Sequence, residues 1–223
     1  YCNPQGINPR PWTDPIQSYC QKNYIIIVND EYPSKDHDDI PSSACTSGVT
    51  PNDSGINAYY WTDLVGSTEG INGSTYSAAN LACTGSVACA SKVITSLGNV
   101  RGICPSEYAS DGTFNIAGLA YYAHTQDLRT GNCGSSACTN SQTIKTYEIA
   151  YRDSHVRYHI HPAPMNHLWL AAKYGGFDDK NNNGQFDSGT DEWDVQNNST
   201  GAQTADGIPD NFYTAEKGVD FEN

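Results

Sequence analysis

The chain has 223 residues, enough for one domain with a full core, and a net charge of −13. With only 12 Lys and Arg, the acidic balance excludes nucleic acid and anionic lipid as partners and suits divalent cations. No run of eighteen apolar residues occurs, so no membrane-spanning helix is expected.

The chain opens at Tyr1 with no charged-then-apolar leader, and removal of something upstream is expected. Its eight cysteines, Cys2, Cys20, Cys45, Cys83, Cys89, Cys104, Cys133 and Cys138, contain no tight C-x-x-C pair. An even count in a loop-rich chain predicts disulfides formed in an oxidising compartment, and the missing C-x-x-C argues against zinc. Cys83 with Cys89 and Cys133 with Cys138 are short loops suited to local bridges. Cys2 with Cys20 and Cys45 with Cys104 then remain by elimination, one of roughly a hundred possible connectivities.

After a proline-rich start, Tyr24-Ile25-Ile26-Ile27-Val28 is a continuous apolar, mostly β-branched run. It predicts a strand buried on both faces, as in a parallel sheet. It ends in the acidic group Asn29-Asp30-Glu31. Residues rich in Ser, Gly, Asn, Asp, Thr and Pro follow to about 113, and read as a disulfide-tied insertion over 31–113. Within it, Ser77 to Leu97 carries a weak helical pattern interrupted by Gly85.

From Phe114 to Arg129, Ile116, Leu119, Ala120, Ala123 and Leu128 recur at helical spacing. Thr143 to Tyr151 alternates and predicts a strand. Asn166 to Tyr174 predicts a second helix, stopped by Gly175-Gly176 acting as a cap. Strand, insertion, helix, strand, helix is the order expected of parallel strands joined by right-handed crossovers. The stretch 177–223 reads as an irregular acidic tail.

The sharpest motif lies in that tail. Asp179-Lys180-Asn181-Asn182-Asn183-Gly184-Gln185-Phe186-Asp187 matches the first nine positions of an EF-hand-type loop. Calcium is a hard cation that takes six to eight oxygens. Asp179, Asn181, Asn183 and Asp187 offer side-chain oxygens, Gln185 its carbonyl, and Gly184 permits the sharp bend. Position twelve, where a bidentate Glu belongs, is Thr190. Asp191 and Glu192 follow, so a slip of one or two residues delivers the closing carboxylate. Asp206-Gly207-Ile208-Pro209-Asp210 is a second acidic piece, read either as a further calcium contact or as a capped turn.

Three stretches carry a resemblance. Asp14 to Val28, with its Ser18-Tyr19-Cys20-Gln21-Lys22 lead into the apolar strand, resembles PilY/PilC-type type IV pilus-associated adhesins. So do Thr146-Tyr147-Glu148-Ile149 and Leu170-Ala171-Ala172-Lys173-Tyr174-Gly175-Gly176-Phe177. The acidic tail, with Glu192-Trp193-Asp194 and 206–210, is similar as well. The resemblance implies a doubly wound, mainly parallel α/β fold of the von Willebrand factor type A kind. On this reading 1–176 is part of such a domain and 177–223 a calcium-binding loop region.

It also implies secretion through the periplasm to the cell surface or pilus tip, with roles in adhesion and pilus assembly. Pilus minor subunits, or other surface chains, are the implied partners. In type A domains an Asp after the central strand and an Asp-x-Ser-x-Ser on the first strand hold a metal ion. Asp30 matches the former, whereas no Asp-x-Ser-x-Ser occurs. The chain is thus expected to be a partial domain, completed by its own missing amino-terminal half or by another chain.

Two other readings stand beside this non-enzymatic one. The first is a structural subunit of an extracellular filament, completed by neighbouring chains. The second is a metal-dependent hydrolase built on His155, His159, His161 and His167, though no H-E-x-x-H motif is present. Fifteen tyrosines and four tryptophans, among them Trp12, Tyr59, Tyr60, Trp61, Tyr121 and Tyr122, also offer contact residues for a binding surface.

Overall fold

The computed structural model describes residues 16–29, 56–80, 89–104, 112–129, 131–133, 136–137, 139–151, 163–189 and 191–215. Its central sheet has three parallel strands in the order β1 (Asn23–Asn29), β7 (Ile144–Tyr151), β8 (Phe212–Ala215). Among the described residues three helices accompany it: α1 (Ala58–Thr68), α2 (Asn115–Thr125) and α3 (His167–Gly176). A small antiparallel sheet, β2 (Thr75–Asn80), β3 (Ala90–Val93) and β4 (Arg101–Ile103), lies between α1 and α2 in sequence. A two-stranded ribbon, β5 (Asn132–Cys133) with β6 (Ser136–Ala137), precedes β7.

Local chemistry sets the helix starts. Asn57 caps α1 by accepting the Tyr60 N–H at 3.0 Å. Asn166 caps α3 by accepting from the Leu168 and Trp169 N–H groups. Each cap satisfies donors that a helix leaves orphaned at its first turn. Helix α1 has no counterpart in the sequence reading, which placed that stretch in a loop insertion. The helical pattern expected over Ser77 to Leu97 is likewise replaced by β2, β3 and a 3-10 turn at Leu97–Asn99.

Glycine contributes contact here, not termination. Gly175 and Gly176 lie inside α3, and its end residue Phe177 has φ −63°, so no left-handed cap closes the helix. Instead, a Cβ on Gly175 would come within 2.9 Å of Ala120 and Thr146, and one on Gly176 would collide with the Asn211 side chain. The two glycines let α3 press against α2, β7 and the Asn211 turn. Asn211 Nδ2 then donates to the carbonyls of Thr146 and Gly176 at 3.0 Å each, locking helix and strand.

The core runs through Val65, Phe114, Leu168, Leu170, Tyr174, Phe177 and Phe212. On β7, Thr146, Glu148 and Ala150 are buried, while the alternate residues are half-covered. Strand β1 departs from its sequence reading. Tyr24 is 53 % exposed, Ile25 43 %, Ile26 65 % and Val28 58 %. The physical reason is position: among the described residues β1 is the end strand, with β7 its one neighbour in the sheet.

The disulfide pattern also differs. Cys89 bonds Cys104, with Cα atoms 5.8 Å apart, so neither Cys83–Cys89 nor Cys45–Cys104 forms. Register explains the pairing: Ala90 of β3 and Ile103 of β4 both oppose Ala78 of β2. The two cysteines therefore leave their strands at one level of the sheet. Cys20 is a free, exposed thiol 3.2 Å from Ser18 Oγ, and not a partner of Cys2. Cys2, Cys45, Cys83, Cys138 and the Cys133 side chain lie outside the described residues.

Candidate calcium-binding loop

The loop that begins at Asp179 follows α3 directly and is held at both ends. Asp178 N–H donates to the Glu192 carbonyl at 2.8 Å, so the chain leaves and returns at one point. Inside, Asp179 Oδ1 accepts from the Asn183 N–H and Oδ2 from the Gly184 N–H, at 3.0 and 2.7 Å. Asn181 Oδ1 accepts from the Asn183 N–H and Asn183 Oδ1 from the Gln185 N–H. Asn182 at φ +57° and Gly184 at φ +74° make the bend. These side-chain oxygens are thereby held on the backbone N–H groups of a tight turn.

Asp187 closes the ring from the far end. Its Oδ2 accepts from the amides of Asn181 and Asn183, at 2.5 and 3.0 Å. Glu192, not position twelve, reaches the loop. Its Oε1 accepts from the Lys180 N–H and its Oε2 from the Asp187 N–H, at 3.1 and 3.3 Å. The carboxylate is buried beneath the loop, whereas Asp191 is exposed and Thr190 lies outside the described residues.

The donor set is oxygen throughout, as a hard cation requires. Among the described residues no three His, Cys, Asp or Glu side chains by themselves form a metal-holding group. A cation held here would need Asn181, Asn183 and the Gln185 carbonyl in addition to Asp179, Asp187 and Glu192. Rotation of the two Asn amides would turn their oxygens inward and release Asp187.

The loop is wedged into the core. Phe186 packs tilted against Tyr174 at 4.4 Å between ring centroids and meets Phe177 edge-on at 5.5 Å. Just past the loop, Trp193 packs on Trp169 at 5.8 Å. Lys173 Nζ sits 3.9 Å above the Trp193 ring and pairs with Glu69 Oε1 at 2.7 Å. Burial lowers the Lys173 pKa, and the Glu69 carboxylate opposes that shift. Glu69 also accepts from the Tyr174 hydroxyl at 2.7 Å, so α1, α3 and the acidic tail share one buried polar node.

The second acidic piece is built as clamped turns. Asp210 accepts from the N–H groups of Val195 and Gln196, and Asp206 from those of Asn198 and Ile208. Asp194, which the sequence reading named only within the tail's resemblance and not as a site residue, accepts from the Asp206 and Gly207 N–H groups. These turns deliver Phe212–Ala215 to the sheet as β8, a strand the irregular-tail reading lacked. Its signal was the short run Phe212-Tyr213-Thr214-Ala215 after the turn residues.

Of the other candidates, Asp30, His155, His159, His161 and Trp12 lie outside the described residues. His167 is buried in the first turn of α3. Among the suggested contact aromatics, Tyr60 is exposed, while Tyr59, Trp61, Tyr121 and Tyr122 are half-buried. Trp61 packs edge-on against Tyr121 and Tyr122, joining α1 to α2. No described helix is long and apolar enough to cross a membrane.

A parallel sheet with helices along one side and an acidic, oxygen-lined loop docked at its end defines the class. Within it, a family described as PilY1 homolog, second domain, matches residues 4–123, and the chain belongs to that family. The chain is also similar to a type IV pilus biogenesis factor PilY1 homolog from Xylella fastidiosa, 28 % identical over 172 residues. That match covers 74 % of this chain and 12 % of the relative, so the chain spans a small part of its length. No solved structure matches the chain.

Proposed function

We propose that the chain is a non-enzymatic, calcium-stabilised part of a secreted surface protein of type IV pili, acting in adhesion and pilus assembly. The reading is supported by one observation above the rest: a buried Glu192 carboxylate closes the 179–187 loop from below. In this reading the ion takes Asp179, Asn181, Asn183, Asp187, Glu192 and the Gln185 carbonyl. It neutralises carboxylates held close together, and the loop passes that order to the core through Phe186 and Trp193. Asp206 and Asp210 then serve the same tail as turn clamps or outer contacts. The relative's name supplies the pilus context, and pilus minor subunits are the partners.

The test is thermal unfolding with calcium and with chelator. At free calcium of about a hundred times Kd, linkage raises stability by about 2.7 kcal/mol, or about 5–10 °C for a chain this long. Glu192→Gln should remove most of that gain. An unchanged melting temperature would refute calcium binding. Normal pilus number in cells carrying only Glu192→Gln would separate calcium stabilisation from the assembly role.

A further inference from the structure

Glu69 is the cap residue at the C-terminal end of α1, where the helix dipole disfavours a negative charge. Its carboxylate is nonetheless tucked inward, with 10 % of the side chain exposed. One oxygen, Oε1, accepts from both Lys173 Nζ and the Tyr174 hydroxyl, at 2.7 Å each. Helix α1 packs on α2, and α2 on α3, so this pair ties α1 to α3 directly. The Lys173 side chain is 8 % exposed. Its ammonium lies 3.9 Å from the Trp193 ring centroid, 4.7 Å from Trp169 and 5.3 Å from Phe186. Trp169 belongs to α3 itself, whereas Phe186 lies inside the 179–187 loop and Trp193 just after it.

A buried ammonium is costly unless an opposite charge and ring faces replace its water. Here the opposite charge comes from α1, and two of the three rings come from the tail. Each contribution depends on the other. With the loop lifted, water reaches Lys173, and its attraction to Glu69 falls about fourfold as the effective dielectric rises from ~20 toward ~80. With Glu69 neutral, Lys173 is an uncompensated charge beneath Phe186 and Trp193, and it drives those rings off to regain water. We propose that Lys173 couples docking of the 179–187 loop to the end of α1, so that whatever orders the loop tightens α1, and the reverse.

The coupling joins two parts of the chain. Helix α1 lies within residues 4–123, which match the family, and the loop lies beyond them. The element with two states is the loop itself, docked or lifted, and both Glu69 and the rings bias it through one ammonium. The inference stands on these contacts and apart from the calcium reading: an ion is one of the things that would order the loop.

The test is amide hydrogen exchange, followed by NMR on the full nitrogen-15-labelled chain in chelator, so the result is separate from calcium binding. In the first arm Phe186→Leu removes the loop's ring. The N–H groups of Glu69 and Ile71, bonded to the Val65 and Gly66 carbonyls, should then exchange at least about tenfold faster. The Gly102 N–H, bonded to the Gly112 carbonyl, is the control and should change less than about twofold. In a Lys173→Met background, which keeps the bulk without the charge, Phe186→Leu should no longer alter the Glu69 and Ile71 rates. Lys173→Arg should keep the response. No response in the otherwise wild-type chain, a uniform rise that includes Gly102, or an equal response with Lys173→Met would overturn the proposal. The second arm runs in reverse and leaves the core intact, so it decides the matter if Phe186→Leu does not fold. Glu69→Gln should speed exchange of the Asp178 and Asp210 N–H groups, bonded to the Glu192 and Trp193 carbonyls, at least about tenfold. Unchanged rates there would overturn the proposal as well.

Discussion

Glu148 gives the sharpest quantitative test of this structure. Its side chain is fully buried on the helix-facing side of β7, and neither carboxylate oxygen has a hydrogen-bond partner. Its neighbours in register are Ile27 and Phe212, both apolar. Removal from water without compensation disfavours the charged form, and burial pushes the Glu148 pKa up from 4.5 to about 8. The sign follows from proton linkage. The folded state holds the proton more tightly than the unfolded state, so folding is favoured fully below pH 4.5. That advantage is lost as pH rises toward 8, at about 1.4 kcal/mol per pH unit. Between pH 5 and 7 the loss amounts to about 2.5 kcal/mol. Glu148→Gln cannot titrate, so its stability should lack this slope, whatever the amide costs at a single pH. Urea unfolding followed by tryptophan fluorescence at pH 5, 6 and 7 measures both proteins. If wild type and Glu148→Gln change in parallel over that range, Glu148 is not an unpaired buried carboxylate and the packing described around β7 is wrong.

Phe186→Ala should cost about 3–5 kcal/mol in the same assay, because it removes a ring seated between Tyr174 and Phe177. A cost below 1 kcal/mol would show that the loop is not docked. Cys89→Ser should cost about 3 kcal/mol under oxidising conditions, the value for a closed loop of about fifteen residues. Peptide mapping should find Cys89 joined to Cys104 and Cys20 unpaired. Gly176→Ala should destabilise by about 1–3 kcal/mol, since the added methyl must displace the Asn211 side chain. A neutral result would restore the reading of Gly176 as a simple helix stop.

How much was legible depended on whether the signal was local. Helices α2 and α3 and strand β7 carry their periodicity in their own residues, and all three lie where that pattern placed them. The tight turn over 179–187 was equally readable, because one short segment contains its bend, its side-chain oxygens and Phe186. Glu192 was named only as one of two replacements for position twelve. Its carboxylate, buried, bonds to the Lys180 and Asp187 N–H groups while Asp191 stays exposed, and no spacing rule reports that. The partner of Cys89 was fixed by two strands opposing Ala78, a relation between distant segments. Helix α1 was missed because its stretch lies among residues whose Ser, Gly, Asn and Pro content reads as a loop insertion, although Asn57 stood ready as its cap. The exposure of β1 shows the same limit: composition predicted a strand that wants burial, while its place at the sheet's end decides what is available to bury it.

The pairing of Asn23 with Ile144 has a kinetic consequence. Nearly everything between them must be synthesised before β1 meets β7, and joining such distant segments carries a loop-closure penalty that slows folding. The Cys89–Cys104 bond shortens the intervening span and so eases that search. Until that pairing forms, the isoleucine-rich strand lacks its neighbour β7. An apolar, β-branched strand left waiting in this way is a site where misassociation can begin.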